Sequence, residues 1–397
     1  MPEPIALRLL TPARLGPVVL RNRVVKAATY ETRAKDGRMT DALLAWHRWF
    51  AVGGVGMTTL AYCAVSADGR TFPDQILLND DALPGLRRFT TAMHDEGAAA
   101  AIQLAHAGWF ADPRATGTKP VGPSRAFSPH ARTWSRAADA DDLARLTADF
   151  ARAATLAVEA GFDALEVHVG HGYLLSQFLS PFNNKRTDQF GGSIENRARL
   201  PRQILRAVRT AVGQRAAIYP KLNMDDGFAG GLTAADALGV ARMLESDGSV
   251  DAFQLTGGHT TKTPMYLMRG DSPLPALFAR DPSWARRTAL RMLGRFLFKN
   301  YQFEEAFFLP AARRFLGTVR LPLMLLGGIN RAPTMERALG EGFTFMALGR
   351  ALIRRPDFVR ALAAGEIVES GCTHCNACVA AMGYEPTGCV LRPEVAA

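Results

Sequence analysis

Residues 161–199 read GFDALEVHVGHGYLLSQFLSPFNNKRTDQFGGSIENRAR. The stretch opens with a short apolar strand, Ala164 to Val167, that ends in His168, His171 and Tyr173. Two imidazoles suit a substrate oxygen that must be held, and a phenol with an ordinary pKa near 10 suits a proton that must be delivered. Further on, Ser193 caps an amphipathic stretch, and Glu195 places a carboxylate in its first turn, where the helix dipole favours it. A strand, a polar strand end and then a helix make one βα unit. Paired histidines in isolation also suit plain burial among backbone partners, so the rest of the chain has to decide.

The same alternation runs through all 397 residues. Predicted strands are Arg23 to Ala28, Gly56 to Ala61, Ala98 to Leu104, Ala164 to Val167, Ala216 to Leu222, Ala252 to Leu255, Leu323 to Leu326 and Phe345 to Ala347. Amphipathic stretches lie between them: Asp41 to Ala51, Leu83 to His94, Asp141 to Ala160, Ser193 to Val212, Thr233 to Ser246, Phe303 to Leu316 and Thr334 to Leu339, with a last one from Asp357 to Ala363. Strands that are apolar throughout and separated by helices predict a parallel sheet covered on both faces. Eight such units favour a (β/α)8 barrel, a TIM barrel, over a doubly wound sheet. No GxGxxG follows any of the strands, which removes the main support for a dinucleotide-binding fold.

In such a barrel functional groups sit where strands end and βα loops begin. Gln103 and His106 close the third strand, the His168–His171–Tyr173 group the fourth, and Lys221 the fifth. Gly327-Gly328 follows the seventh strand and Gly349-Arg350 the eighth. Glycine N–H groups and an arginine after these two strands predict a phosphate site.

Composition excludes several classes. Hydrophobic residues are 48% and charged residues 21%, ordinary values for a globular chain with a large core. No apolar run approaches the roughly 18 residues needed to span a bilayer, and MPEPIALRLL lacks the pattern of a secretory leader. A cytoplasmic protein with no membrane partner is therefore expected. The net charge of +10 favours anionic partners, but the arginines are spread along helices without a nucleic-acid motif, so no nucleic acid is expected. A homo-oligomer stays open.

The string EVHVGHGYLLSQFLSPFNNKRTDQFGGSIENR, together with LGPVVLRNRVVKAATYE near the start and AIQLAHAG at the third strand, resembles the old yellow enzyme family of FMN-dependent ene-reductases. The likeness extends to the barrel of the 2,4-dienoyl-CoA reductases and covers about residues 8 to 365. It implies an FMN whose ring lies over the first strand at Ala28, with Gln103 on the pyrimidine and Gly327, Gly328, Gly349 and Arg350 around the phosphate. It further implies that His168 and His171 bind the carbonyl of an α,β-unsaturated compound and that Tyr173 donates a proton. NADH or NADPH would be the reductant, and the substrate a small enone-type molecule or an enoyl or dienoyl thioester.

Three positions depart from the family's pattern. Lys221 stands where most relatives carry arginine, a point charge in place of a bidentate fork facing the flavin. Tyr30 replaces a threonine or cysteine. Cys63 falls near the expected flavin edge, although a small buried thiol is its ordinary role.

The sequence divides into a barrel over residues 1–365, with excursions at about 105–140 and 258–302, and a cysteine-rich tail over 366–397. The first excursion is expected over the barrel mouth. The second is rich in arginine near Arg280 to Arg295, and its charge suits an anionic tail such as coenzyme A. In the tail, Cys372, Cys375, Cys378 and Cys389 form C-x2-C-x2-C-x10-C, a spacing compatible with a [4Fe–4S] cluster, a zinc ion or free thiols. His374 is a further potential ligand. Competing functions are a flavin-dependent C–N dehydrogenase or demethylase of the same fold, a flavin-free phosphate-binding lyase or isomerase, and a metal-binding interaction protein.

Overall fold

The computed structural model describes residues 7–392, so most of the leader reading and the end of the tail lie outside the described residues. Eight parallel strands close into a barrel: β1 (Val24–Lys26), β2 (Met57–Ala64), β3 (Ala99–Ala105), β4 (Ala164–Val169), β5 (Ala217–Asn223), β6 (Phe253–Thr256), β7 (Leu323–Leu326) and β8 (Phe345–Leu348). Each strand pairs with its sequence neighbour, and the ring shuts where Met346, Ala347 and Leu348 lie opposite Val24, Val25 and Lys26. Burial on both faces is the reason these strands read as apolar runs.

Alternation sorts their side chains into two layers. Val25, Met57, Ala101, Ala164, Ala217, Tyr219, Met324 and Phe345 fill the lower barrel interior, capped from below by Leu15 and Leu20 of an N-terminal hairpin. The alternate residues pack outward against the helices. These include α1 (Asp41–Val52), α2 (Leu83–Asp95), α3 (Ala140–Glu159), α4 (Arg199–Val212) and α5 (Ala234–Ser246). Side-chain caps at Thr40 and Thr233 and a capping box between Asp139 and Asp142 satisfy their first N–H groups. No helix among the described residues is long and apolar enough to cross a membrane.

Two helical expectations need correction. The stretch from Ser193 to Val212 is a turn of helix at Ile194–Arg197 followed by α4. The break falls where Pro201 has no N–H to offer the Arg197 carbonyl. Phe303 to Leu316 is mostly not helical, with a single turn at Leu309–Ala312 and a tighter one at Arg313–Phe315. Ala306 there adopts φ 55° and donates its N–H to Gly328 O at 2.9 Å, so this segment braces the loop after β7.

The excursion at 105–140 folds into two short ribbons beside the barrel mouth and brings Phe110 to it. The one at 258–302 carries α6 (Leu274–Arg280) and α7 (Trp284–Leu297). The tail is stitched to the same end of the barrel: Thr387 N donates to Glu31 O at 2.9 Å, Arg33 Nη2 to Thr387 O at 3.1 Å, and Asn376 Nδ2 to Met268 O at 2.7 Å.

Candidate active site

The C-terminal ends of the strands surround a cavity of about 430 Å³, a usual size for a cofactor site. Its lining contains Ala28, Gln103, His168, His171, Tyr173, Lys221, Gly327, Gly328, Gly349 and Arg350, so all ten residues expected to serve chemistry or cofactor border one space.

His168 projects inward from β4, in line with Ala164 and Glu166 on the barrel-facing side of the strand. Its Nδ1 accepts from Gly170 N at 3.2 Å, so the imidazole proton sits on Nε2. His171 lies after the strand with φ 58°, an uncommon conformation for a residue with a side chain. It is held from two neighbouring strands: His171 N donates to Asn223 Oδ1 at 3.0 Å, and Nε2 lies 2.8 Å from Thr256 Oγ1. Gly172 follows at φ 76°, where an added Cβ would stand 2.6 Å from His259 Nε2. This turn directs both imidazoles and the phenol to one point. The ring centroids of His168 and His171 are 5.0 Å apart, and those of His168 and Tyr173 4.8 Å.

Burial sets the protonation of this group. It pushes His168 and His171 well below the ordinary imidazole value, helped by His171 and by Lys221 on the first and by Lys221 and His259 on the second. Both are neutral donors near pH 7. Burial also raises the Tyr173 phenol to about 12, which keeps its proton available.

Below the histidines lies a buried polar layer in which Gln103 and Lys221 meet two residues that the sequence reading passed over, Glu166 and Gln254. Glu166 is wholly buried and is shared by three partners: Gln103 Nε2, Gln254 Nε2 at 2.7 Å and Lys221 Nζ at 3.3 Å. A carboxylate inside the apolar run ALEVHV was the available signal. A second buried cluster underlies β1, where Lys26 Nζ donates to Glu31 and, at 2.9 Å, to Thr29 Oγ1. His47 Nδ1 lies 2.8 Å from Thr58 Oγ1, with its Nε2 3.8 Å from Glu31. Burial would raise the Glu31 carboxyl, but Lys26 and His47 outweigh it and bring it to about 2.

Aromatic side chains wall the substrate side. Tyr30 stacks on Phe72 with centroids 4.7 Å apart and meets Tyr62 edge-on at 5.4 Å, while Phe110 meets Tyr173 at 5.8 Å. Sequence reading missed Tyr62, Phe72, Phe110 and Thr260; the buried Thr260 hydroxyl has no hydrogen-bond partner among the described residues, and Thr260 borders the cavity. Cys63 faces the outer packing layer with its thiol pushed up by burial, and does not line the cavity.

At the other end, Gly327 and Gly328 take φ 111° and 67°. An added Cβ on either would come within 2.5 Å of Phe308 or Phe307, so only glycine fits. Arg350 reaches across, with Nη1 donating to Arg269 O at 2.9 Å and Asn376 Oδ1 at 2.5 Å. A glycine cradle and a guanidinium at one end, with Gln103 and Lys221 at the other, fit the phosphate and ring of FMN.

Cys372, Cys375, Cys378 and Cys389 border one small cleft with Arg350, and all are unpaired. Burial raises the thiols of Cys372 and Cys378, the latter to about 12. Among the described residues no three His, Cys, Asp or Glu side chains are set to hold a single metal ion. His374 turns to Asn330 and Phe303 instead. Arg286 and Arg287, expected to meet an anionic tail, both turn to Asp281 and do not line the cavity.

Residues 8–255 match the NADH:flavin oxidoreductase / NADH oxidase family. The chain belongs to this family. Among NADH:flavin oxidoreductases, which typically use FMN and NAD(P)H, it is 47% identical over 384 residues to 4,4'-dithiodibutanoate disulfide reductase of Rhodococcus erythropolis, covering 97% of this chain and 95% of the relative. It is 30% identical over 391 residues to a metal reductase of Desulforamulus reducens, of which it spans only 53%. A 2-naphthoyl-CoA reductase structure superposes with TM-score 0.81 at 25% identity, covering 98% of this chain and 57% of that one. The old yellow enzyme homologue of Zymomonas mobilis shares the fold at TM-score 0.71, 23% identity and 91% and 93% coverage. Thus the chain spans about half the length of two of these proteins and nearly all of the other two.

Proposed function

We propose that this NADH:flavin oxidoreductase reduces the activated C=C bond of α,β-unsaturated carbonyl compounds with NAD(P)H. One observation carries the reading: two neutral imidazoles and a protonated phenol converge beside the part of the cavity that Gln103 and Lys221 border. Ala28, Gln103 and Lys221 would seat the ring of FMN, and Gly327, Gly328, Gly349 and Arg350 its phosphate. Bound there, FMN supplies a carrier that accepts hydride from NAD(P)H and passes it to the substrate's β carbon.

His168 Nε2–H, paired with His171, holds the carbonyl oxygen and draws electron density away from the double bond. Tyr173 gives its proton to the α carbon, so hydride and proton together saturate the bond. Tyr30, Tyr62, Phe72 and Phe110 keep this region dry and suit a flat apolar substrate.

A second reading is disulfide reduction, favoured by the 47% identity to a disulfide reductase over almost its whole length. The S–S bond would take the hydride's two electrons, one sulfur leaving as thiol and the other as a thiolate protonated by Tyr173. Anaerobic mixing of pre-reduced enzyme with 2-cyclohexen-1-one or with 4,4'-dithiodibutanoate separates the two. Rapid flavin reoxidation by the enone, with the disulfide much slower, supports the first reading; the reverse order replaces it by the second.

For the tail we propose a [4Fe–4S] cluster on Cys372, Cys375, Cys378 and Cys389 rather than zinc. The four cysteines line one cleft beside Arg350, and C-x2-C-x2-C-x10-C supplies four thiolates to a cluster. Anaerobic purification followed by iron, acid-labile sulfide and zinc analysis tests this. Near-stoichiometric zinc, or no metal at all, would refute it.

A further inference from the structure

We infer that α7 is a surface helix that docks this protein on an anionic phospholipid bilayer. Trp284, Met292, Leu293 and Phe296 are 74%, 67%, 55% and 71% exposed, an unusual concentration of large apolar side chains on one short helix. At 100° per residue they share one half of the helix with Ala285 and Ala289, which are also exposed. The arc of about 100° from Met292 through Ala285, Phe296 and Ala289 to Leu293 carries no charge, and Trp284 stands at its edge beside the position of Arg295. The helix packs inward through Gly294, where an added Cβ would stand 2.6 Å from Leu274 of α6. The apolar half is therefore turned away from the barrel.

Charge decides what covers it. From Arg280 to Gln302 the sequence holds six cations (Arg280, Arg286, Arg287, Arg291, Arg295 and Lys299) against one carboxylate, Asp281. An apolar stripe with a tryptophan and a phenylalanine, rimmed by arginine, matches a helix lying in the headgroup region of anionic lipid. A second copy across a two-fold axis would bring the same cations face to face, while Glu385 and Asp281 are already paired with Arg280 and Arg286. The sequence-based expectation of no membrane partner rested on the lack of a spanning segment, which a surface helix does not need. Leu277 of α6 and Phe298 beyond α7 line the active-site cavity, so docking sets the cavity beside the lipid, where apolar substrates partition.

The test is co-sedimentation of the full chain with vesicles of phosphatidylcholine alone or mixed equally with phosphatidylglycerol. Binding to the mixed vesicles is expected, with little to phosphatidylcholine alone. Trp284→Ser combined with Phe296→Ser keeps every charge and should weaken that binding about tenfold or more, while turnover of a water-soluble substrate is unchanged. A separate Arg291→Glu, Lys299→Glu variant should lose binding to the mixed vesicles only. The inference is overturned if wild type ignores both vesicles, or if the serine variant binds as wild type does through net charge alone. It is also overturned if light scattering shows a dimer that the serine variant splits while neither protein binds vesicles.

Discussion

Thr256 Oγ1 and His171 Nε2 lie 2.8 Å apart at the ends of neighbouring segments of the barrel mouth. This contact leaves Nδ1 as the imidazole nitrogen free to meet a ligand, and Nδ1 carries its proton when Nε2 accepts from the threonine hydroxyl. Thr256→Val should therefore slow substrate reduction about tenfold through loss of the right tautomer and orientation. Flavin reduction by NAD(P)H should be unaffected. Stopped-flow measurement of the two half-reactions separates them, and Thr256→Ser should restore the rate.

Tyr173 has the raised pKa of a buried phenol, about 12. Tyr173→Phe should slow the oxidative half-reaction by roughly two to four orders of magnitude. The reductive half-reaction should keep its wild-type rate. Equal rates in both half-reactions would move proton delivery to another group.

Stability should fall with acid, and the sign follows from the histidines. Burial lowers His47 and His259 to about 4 and His168 and His171 well below their ordinary value. As pH drops below roughly 6.5 the unfolded chain takes up protons that the folded chain refuses, so stability is lost downward from that point. Each unit of displacement is worth about 1.4 kcal/mol per group. Glu31, depressed to about 2, adds a second loss between its ordinary value and 2. Thermal denaturation across pH should show the midpoint falling below about pH 6.5.

Gly328→Ala would set a Cβ 2.5 Å from Phe307 at φ 67°. A cost of about 1–3 kcal/mol is expected from the backbone conformation alone. Flavin content after purification should fall with it, and the variant should need added FMN for activity.

Glu166 is the buried anion that Lys221 and two glutamines share. Glu166→Gln leaves the ammonium without its partner and should destabilise the fold by about 3–5 kcal/mol. Denaturant titration would detect this. An unchanged midpoint would mean that Lys221 finds another partner.

The sequence showed the barrel clearly because each strand is buried on both faces, and a run such as AIYPKLN or LMLL has few other uses. The site was legible where its residues are contiguous or end a strand, as with His168, His171 and Tyr173 or Gly327-Gly328. It was not legible where partners are far apart in sequence: Lys26, Glu31 and His47 meet only because α1 packs on β1 and β2. Tyr62, Phe72 and Phe110 come from separate segments, and no local pattern announces that they face one cavity. The false helix at Phe303 to Leu316 has helical periodicity, yet its phenylalanines are spent supporting the glycine loop after β7.

Isotope labelling during reduction of a cyclic enone bears most directly on the central claim, that one site delivers hydride from NAD(P)H to the β carbon and a solvent-exchangeable proton to the α carbon. With NADH or NADPH deuterated at C4 in ordinary water, the β carbon should acquire deuterium; with unlabelled cofactor in heavy water, the α carbon should. Solvent deuterium at the β carbon, or no transfer of label from the cofactor under any condition, would contradict the account.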